Sequence, residues 1–217
     1  MLLINFKNYP QVLGPKALKL AQDLSQAAKE YPQVKVGFAP PPLELAEVAT
    51  HTKSLIWAQH TDPAAVGQTT GFLSPKEAQA AGAVGTFLNH SEHPLSWKAL
   101  SQTVEVAREA GLKILIFAKN PQEISDFLPL KPDFLAYEPP ELIGGKISVA
   151  SAKPQIIKEA FAVAQDIPLL VGAGVHEMKD IEISLSLGAV GAVVSSAVVT
   201  ASDPVKVFKN LLAGFKS

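Results

Sequence analysis

Three side chains able to move protons or hold negative charge sit where short apolar runs of this chain stop. Lys7 follows Leu2–Phe6, His90 follows Ala83–Asn89, and Glu138 closes Phe134–Glu138. An imidazole and a carboxylate can exchange a proton near neutral pH, and an ammonium stabilises an anion that forms beside them. Asn5 stands two residues before Lys7, on the same face of an extended strand, and adds a hydrogen-bonding amide there. Small residues follow three later runs: Gly144-Gly145, Gly172-Ala173-Gly174 and Ser195-Ser196. Such loops let backbone N–H groups approach a phosphate closely. Each feature also has an ordinary reading. A lysine at a strand end is commonly a solvated charge, a lone histidine a structural group, and a glycine a turn residue. Glu138 departs furthest from that reading, because a carboxylate directly after Phe134-Leu-Ala-Tyr137 and before two prolines suits neither a core nor a flexible surface. For His51, His60, His93 and His176 no catalytic partner is evident, and they are read as structural.

These groups meet only if the strands that carry them converge. Eight apolar runs recur: Leu2–Phe6, Val34–Ala39, Leu55–Gln59, Ala83–Asn89, Leu112–Ala118, Phe134–Glu138, Pro168–Gly172 and Gly191–Ser195. They are continuously apolar, as parallel strands covered on both faces must be. Amphipathic stretches alternate with them: Lys16–Lys29, Leu43–Thr50, Pro75–Ala81, Leu95–Ala110, Pro121–Phe127, Ala152–Ala164, Glu177–Leu187 and Pro204–Leu212. Ser74-Pro75 and Asp203-Pro204 read as N-cap and N1 pairs, and Gly82, Gly111 and Gly188 fall where helices would stop. Eight β-α units in 217 residues, about 27 each, predict an α/β fold closed into a single-domain (β/α)8 barrel over residues 1–217. An open doubly wound sheet would need a glycine-rich first turn, whereas Lys7-Asn8-Tyr9-Pro10 follows the first run. In a closed parallel barrel the active site lies at the C-terminal ends of the strands, where Lys7, His90 and Glu138 fall.

Composition narrows the function further. Charged residues are 18% and apolar residues 47% of the chain, so much of it is buried in a core or an interface between subunits. A net charge of −1 gives no basic excess for nucleic acid, and the lack of cysteine excludes disulfides, thiolate metal sites and thiol nucleophiles. The N-terminus has neither the basic nor the long apolar region of an export signal. Ile183–Ser202 is uncharged over twenty residues, but its serines, glycines and change of period predict a helix end, a buried strand and a loop, not a membrane span. A cytoplasmic protein follows as the expectation.

In order and separation, Asn5-x-Lys7, Asn89-His90-Ser91-Glu92, Tyr137-Glu138-Pro139 and Ile143-Gly144 resemble the triosephosphate isomerase family. The short loops, with Gln59-His60-x-Asp62-Pro63 and Glu138-Pro139-Pro140-Glu141-Leu142-Ile143-Gly144, are similar to its compact archaeal form. The resemblance spans essentially the whole chain. It implies a TIM barrel that interconverts dihydroxyacetone phosphate and D-glyceraldehyde 3-phosphate with no cofactor and no metal. The residue roles come from the family and not from the spacing. Glu138 would be the base, neutral His90 beside a helix N-terminus would polarise the carbonyl, and Lys7 and Asn5 would hold the developing oxyanion. Glu92 would be a further acidic site residue, and Gly144, Gly174, Ser195 and Ser196 would bind phosphate through backbone N–H groups. Pro139–Ser148 would be the lid, with Ile143 pressing toward Glu138. Thr61–Leu73 resembles the family's interface loop, so a homodimer or homotetramer is expected. Three positions depart from the commoner family pattern: Ser195-Ser196 replaces paired glycines, His93 replaces arginine, and Phe117-Ala118-Lys119 stands where the family often has a cysteine near the end of strand five. Two other readings remain open on the sequence, another phosphate-binding barrel enzyme and a barrel that binds phosphate without turnover.

Overall fold

The computed structural model describes residues 1–139 and 154–215. The apolar runs form eight strands: β1 (Leu2–Asn5), β2 (Val36–Ala39), β3 (Leu55–Ala58), β4 (Gly85–Leu88), β5 (Lys113–Ala118), β6 (Phe134–Tyr137), β7 (Leu169–Val171) and β8 (Gly191–Val194). Each pairs in parallel with its sequence neighbours, and β8 returns to β1 through Leu2↔Ala192 and Ile4↔Val194, closing the barrel. Strand alternation divides the buried residues into two sets. Leu3, Trp57, Phe87, Phe117, Leu170 and Val193 fill the interior. Leu2, Ile4, Phe38, Ile56, Leu88 and Ile114 face outward in the same cluster as helix residues such as Leu24, Val104 and Phe208. Interior and shell thus both consume apolar residues, which accounts for the low share of charge.

The interior floor is set by one large ring. Trp57 is 1% exposed and contacts Phe87 and Phe134 through ring centroids 5.6 and 6.1 Å away. Two neighbouring strands carry glycine beside it. A Cβ at Gly85 would lie 2.5 Å from the indole and 2.8 Å from the Lys113 carbonyl oxygen; one at Gly37 would lie 2.7 Å from Leu3 and 2.8 Å from the Leu55 carbonyl oxygen.

Helices α1 (Pro15–Ala28), α2 (Leu45–His51), α3 (Pro75–Ala80), α4 (Trp97–Glu109), α5 (Pro121–Phe127), α6 (Pro154–Ala164), α7 (Met178–Ser186), α8 (Ser196–Val199) and α9 (Pro204–Ala213) are described. The Ser74 and Asp203 caps accept from the N–H groups of Glu77 and Lys206, as their sequence positions predict. Helices α2, α4 and α7 begin later than the apolar spacing suggests, α7 by the single residue Glu177 that caps it. At α4, Ser96 takes the cap by accepting from the Ala99 N–H, which leaves Leu95 outside. At α2, Pro42–Glu44 forms a 3-10 turn before the α-helix starts. The four-residue α8 was not foreseen, since it is too short to show a period. Ile183–Ser202 resolves into the end of α7, β8 and α8, and among the described residues no helix is long and apolar enough to cross a membrane.

Candidate active site

The barrel brings Asn5, Lys7, His90, Glu138, Gly174, Ser195 and Ser196 to one cavity of about 90 Å³ at the C-terminal strand ends. Gly144, Ile143 and the lid loop beyond Pro139 lie outside the described residues.

Asn5 continues the inward parity of Leu3 on β1. Its Oδ1 accepts from the Lys7 backbone N–H at 3.0 Å, and Lys7 itself adopts a left-handed backbone with φ 48°. A second amide secures this corner: Gln59 Nε2 donates to the carbonyl oxygens of both Lys7 and Ala39 at 3.0 Å. Lys7 Nζ then reaches across the rim to Glu92 Oε1 at 2.8 Å. Glu92 is half exposed, so this pair fixes the direction of the ammonium more than it stabilises the fold.

His90 reaches the cavity through an irregular backbone. Phe87 points inward and Leu88 outward, so strict alternation would aim Asn89 inward and His90 toward the helices. Asn89 instead takes φ 57°, a conformation that asparagine tolerates better than most residues. Its side chain braces the distortion, with Nδ2 donating to the Phe117 carbonyl at 3.0 Å and Oδ1 accepting from the Leu95 N–H at 2.9 Å. His90 is 8% exposed, and its ring packs T-shaped against that of Phe117 with centroids 4.7 Å apart.

The hydrogen bonds of that ring decide its tautomer. Nδ1 accepts from the Glu92 backbone N–H at 3.1 Å, while the Glu92 carboxylate at 3.7 Å is too distant to compete. The proton therefore belongs on Nε2, which faces Glu138 Oε1 at 3.3 Å. The resemblance implied a helix N-terminus beside His90. The structure corrects this: residues 90–93 form a turn closed by the His93 N–H on the His90 carbonyl, and α4 starts only at Trp97.

Glu138 is 5% exposed, and its Oε2 accepts a long 3.4 Å bond from the Ser91 N–H. Gly172 passes close beside it, since a Cβ there would stand 3.3 Å from the Tyr137 carbonyl oxygen and 3.4 Å from the Glu138 Cβ. On the far side of Lys7, His60 and His93 stack with centroids 4.0 Å apart. Burial holds the His60 imidazole below its ordinary pKa and His93 lowers it further, against an upward pull from Asp62 at 3.2 Å.

Gln59 and Asn89 are the contributors that sequence reasoning missed as site residues. Both lie in quoted motifs, and an amide directly after an apolar run was the available signal. The remaining question, which reaction this arrangement serves, is met by comparison with known proteins. The family model described as Triosephosphate isomerase matches residues 1–127 and 107–213. The chain belongs to the triosephosphate isomerase family. The triosephosphate isomerase of Thermoplasma volcanium is 35% identical over 212 residues, 97% of this chain and 98% of that protein. That of Methanoculleus marisnigri is 36% identical over 215 residues, covering 97% and 96%. That of Pyrobaculum calidifontis is 37% identical over 208 residues, covering 94% and 91%. The crystal structure of triosephosphate isomerase from Bartonella henselae superposes with a TM-score of 0.76 over 100% of this chain and 98% of that one; at 17% identity it supports the fold alone. Membership in the triosephosphate isomerase family bears out the resemblance carried by the four strand-end motifs, including its archaeal character.

Proposed function

We infer that the protein is a triosephosphate isomerase, interconverting dihydroxyacetone phosphate and D-glyceraldehyde 3-phosphate through an enediolate. The observation that carries the mechanism is the contact of His90 Nε2 with Glu138 Oε1 while His90 Nδ1 is held by a backbone N–H. The substrate carbons enter where these two groups touch, exchanging their mutual contact for contacts to the substrate. Glu138 then takes a proton from C1 of the ketose, and the electron pair moves to form the C1–C2 double bond as the carbonyl oxygen becomes an oxyanion. The Nε2–H of His90 and the ammonium of Lys7 stabilise that oxygen, with Asn5 beside it. Return of the proton from Glu138 to C2, with the hydroxyl proton passing between the oxygens, yields the aldose. Glu92 orients Lys7, and the backbone N–H groups of Gly144, Gly174, Ser195 and Ser196 hold the phosphate.

The chain acts as one barrel domain over residues 1–217, in the cytoplasm, as a homodimer or homotetramer. Loop Thr61–Leu73 supports the assembly. Its base is closed by the Asp62 N–H on the Leu73 carbonyl and by the Leu73 N–H on the Asp62 carboxylate, and it displays Val66 and Phe72 at 71% and 53% exposure. Two large apolar side chains on a firmly rooted loop suit burial against a second copy.

A coupled assay with either triose phosphate tests the activity: turnover without added metal is expected, and its absence would leave a barrel that binds phosphate without catalysis. Light scattering tests the assembly. Thr70→Glu, which places a carboxylate in the contact, should lower mass and activity together. A fully active wild-type monomer would overturn the oligomer.

A further inference from the structure

Among the described residues, four buried side-chain atoms have no hydrogen-bond partner: Glu44 Oε2, Trp57 Nε1, His176 Nε2 and Ser195 Oγ. The last two belong to residues that line the same cavity as His90 and Glu138, on the loops that follow the adjacent strands β7 and β8. Buried polar atoms are ordinarily satisfied, so two unsatisfied ones at one cavity call for a ligand. Their chemistry says which. A hydroxyl and an imidazole N–H can donate, and no carboxylate occurs among the described lining residues of this end, Gly172–His176 and Val193–Ala197. A ligand that presents acceptor oxygens would satisfy both atoms, and an anion meets no opposing carboxylate among these described residues.

We propose that His176 Nε2 and Ser195 Oγ donate hydrogen bonds to the phosphate group of the substrate, so that this phosphate site uses two side chains in addition to backbone N–H groups. The proposal deepens the isomerase reading and rests on it for the identity of the phosphate-bearing molecule. The backbone of His176 has a separate duty: its N–H donates to Asp180 Oδ2 at 2.8 Å, just ahead of α7. That duty survives any side-chain change, which frees the imidazole to be tested alone. Ser195 similarly retains its backbone whatever it carries on Cβ. Among the described residues, His176 is also the only titratable group that the two loops bring to this end of the cavity.

The test measures the Kd of inorganic phosphate by calorimetry, together with KM and kcat for triose phosphate, on the full chain. In His176→Leu and in Ser195→Ala, phosphate Kd and KM should each rise about tenfold, with kcat changing far less. His176→Gln and Ser195→Thr, which restore a donor, should recover most of the loss and guard against misfolding of the first pair. If both donor-less variants bind phosphate as the wild type does, or lose kcat and thermal stability with phosphate affinity intact, the proposal is overturned. A wild type whose phosphate binding depends on both side chains but which does not isomerise triose phosphate would overturn the isomerase reading and leave this site standing.

Discussion

The two sides of the cavity are built on opposite terms. On the side of β4, β5 and β6, polar groups are tied: Asn89 is braced at both ends, His90 Nδ1 has a backbone donor, and Glu138 touches both His90 and Ser91. On the side of β7 and β8, His176 Nε2 and Ser195 Oγ stand without partners. An unmatched buried polar atom costs about 1–3 kcal/mol, so the second side carries a cost that a ligand can relieve. On the proposed function, the difference teaches how one rim would divide its labour. Chemistry needs fixed angles and a fixed tautomer before the substrate arrives, whereas binding gains most from groups that are satisfied only when it does.

Perturbing each side separately should break this division if it is wrong. The largest effect is expected for Glu138→Gln, which keeps the shape but cannot accept the proton; kcat should fall by at least about a thousandfold while phosphate Kd is unchanged. Near-normal turnover would show that another group is the base. His90→Ala should follow, lowering kcat by roughly a hundredfold or more with a small change in KM, because its N–H acts as charge develops. A rise in KM alone would make His90 a binding residue and erase the contrast.

Asn89→Ala sharpens the comparison, since Asn89 is not among the described residues that line the cavity. It removes both braces and forces alanine into a left-handed backbone, a strain of about 1–2 kcal/mol. The melting temperature should drop by about 4–8 °C, and kcat by about tenfold through misdirection of His90. Asn89→Gly separates the two causes: stability should partly return while kcat stays low, as kinetics and calorimetry on one preparation would show.

The smallest effect concerns the stacked histidines outside the cavity. With the folded pKa of His60 held below its ordinary 6.5, the unfolded chain binds more protons than the folded one just below that pH. Stability is therefore complete above about pH 6.5 and declines as pH falls through the window beneath it. His60→Gln should reduce the drop in melting temperature between pH 7 and pH 5 by about 1–3 °C. An unchanged drop would assign the acid sensitivity elsewhere.

The sequence made the scaffold legible because its signals were local. Apolar runs, Ser74 and Asp203 caps and the order of units led directly to the strands and helices that formed. The site was legible as a set of residue types at strand ends, and the family resemblance gave them roles. Its geometry was not. The inward aim of His90 depends on the positive φ of Asn89 and on braces from Phe117 and Leu95, which come from other segments. The Glu92 N–H that donates to His90 Nδ1 is likewise a property of turn shape. His176, read from the sequence as structural because no catalytic partner is evident, shares a cavity with Ser195 because β7 and β8 are neighbours in the closed barrel.

The seat of Trp57 bears on how this chain could change over time. If the indole were exchanged for a smaller side chain, the space left could not be refilled from the neighbouring strands. A methyl group at Gly85 would meet the Lys113 carbonyl oxygen at 2.8 Å, and one at Gly37 would meet the Leu55 carbonyl oxygen at 2.8 Å, and neither obstacle leaves with the tryptophan. No single exchange at either glycine compensates, and a void in a packed interior is itself destabilising. Drift has no small step to take at the barrel floor. At the rim, loops after each strand offer many, and new substrate preferences in this scaffold would have to arise there.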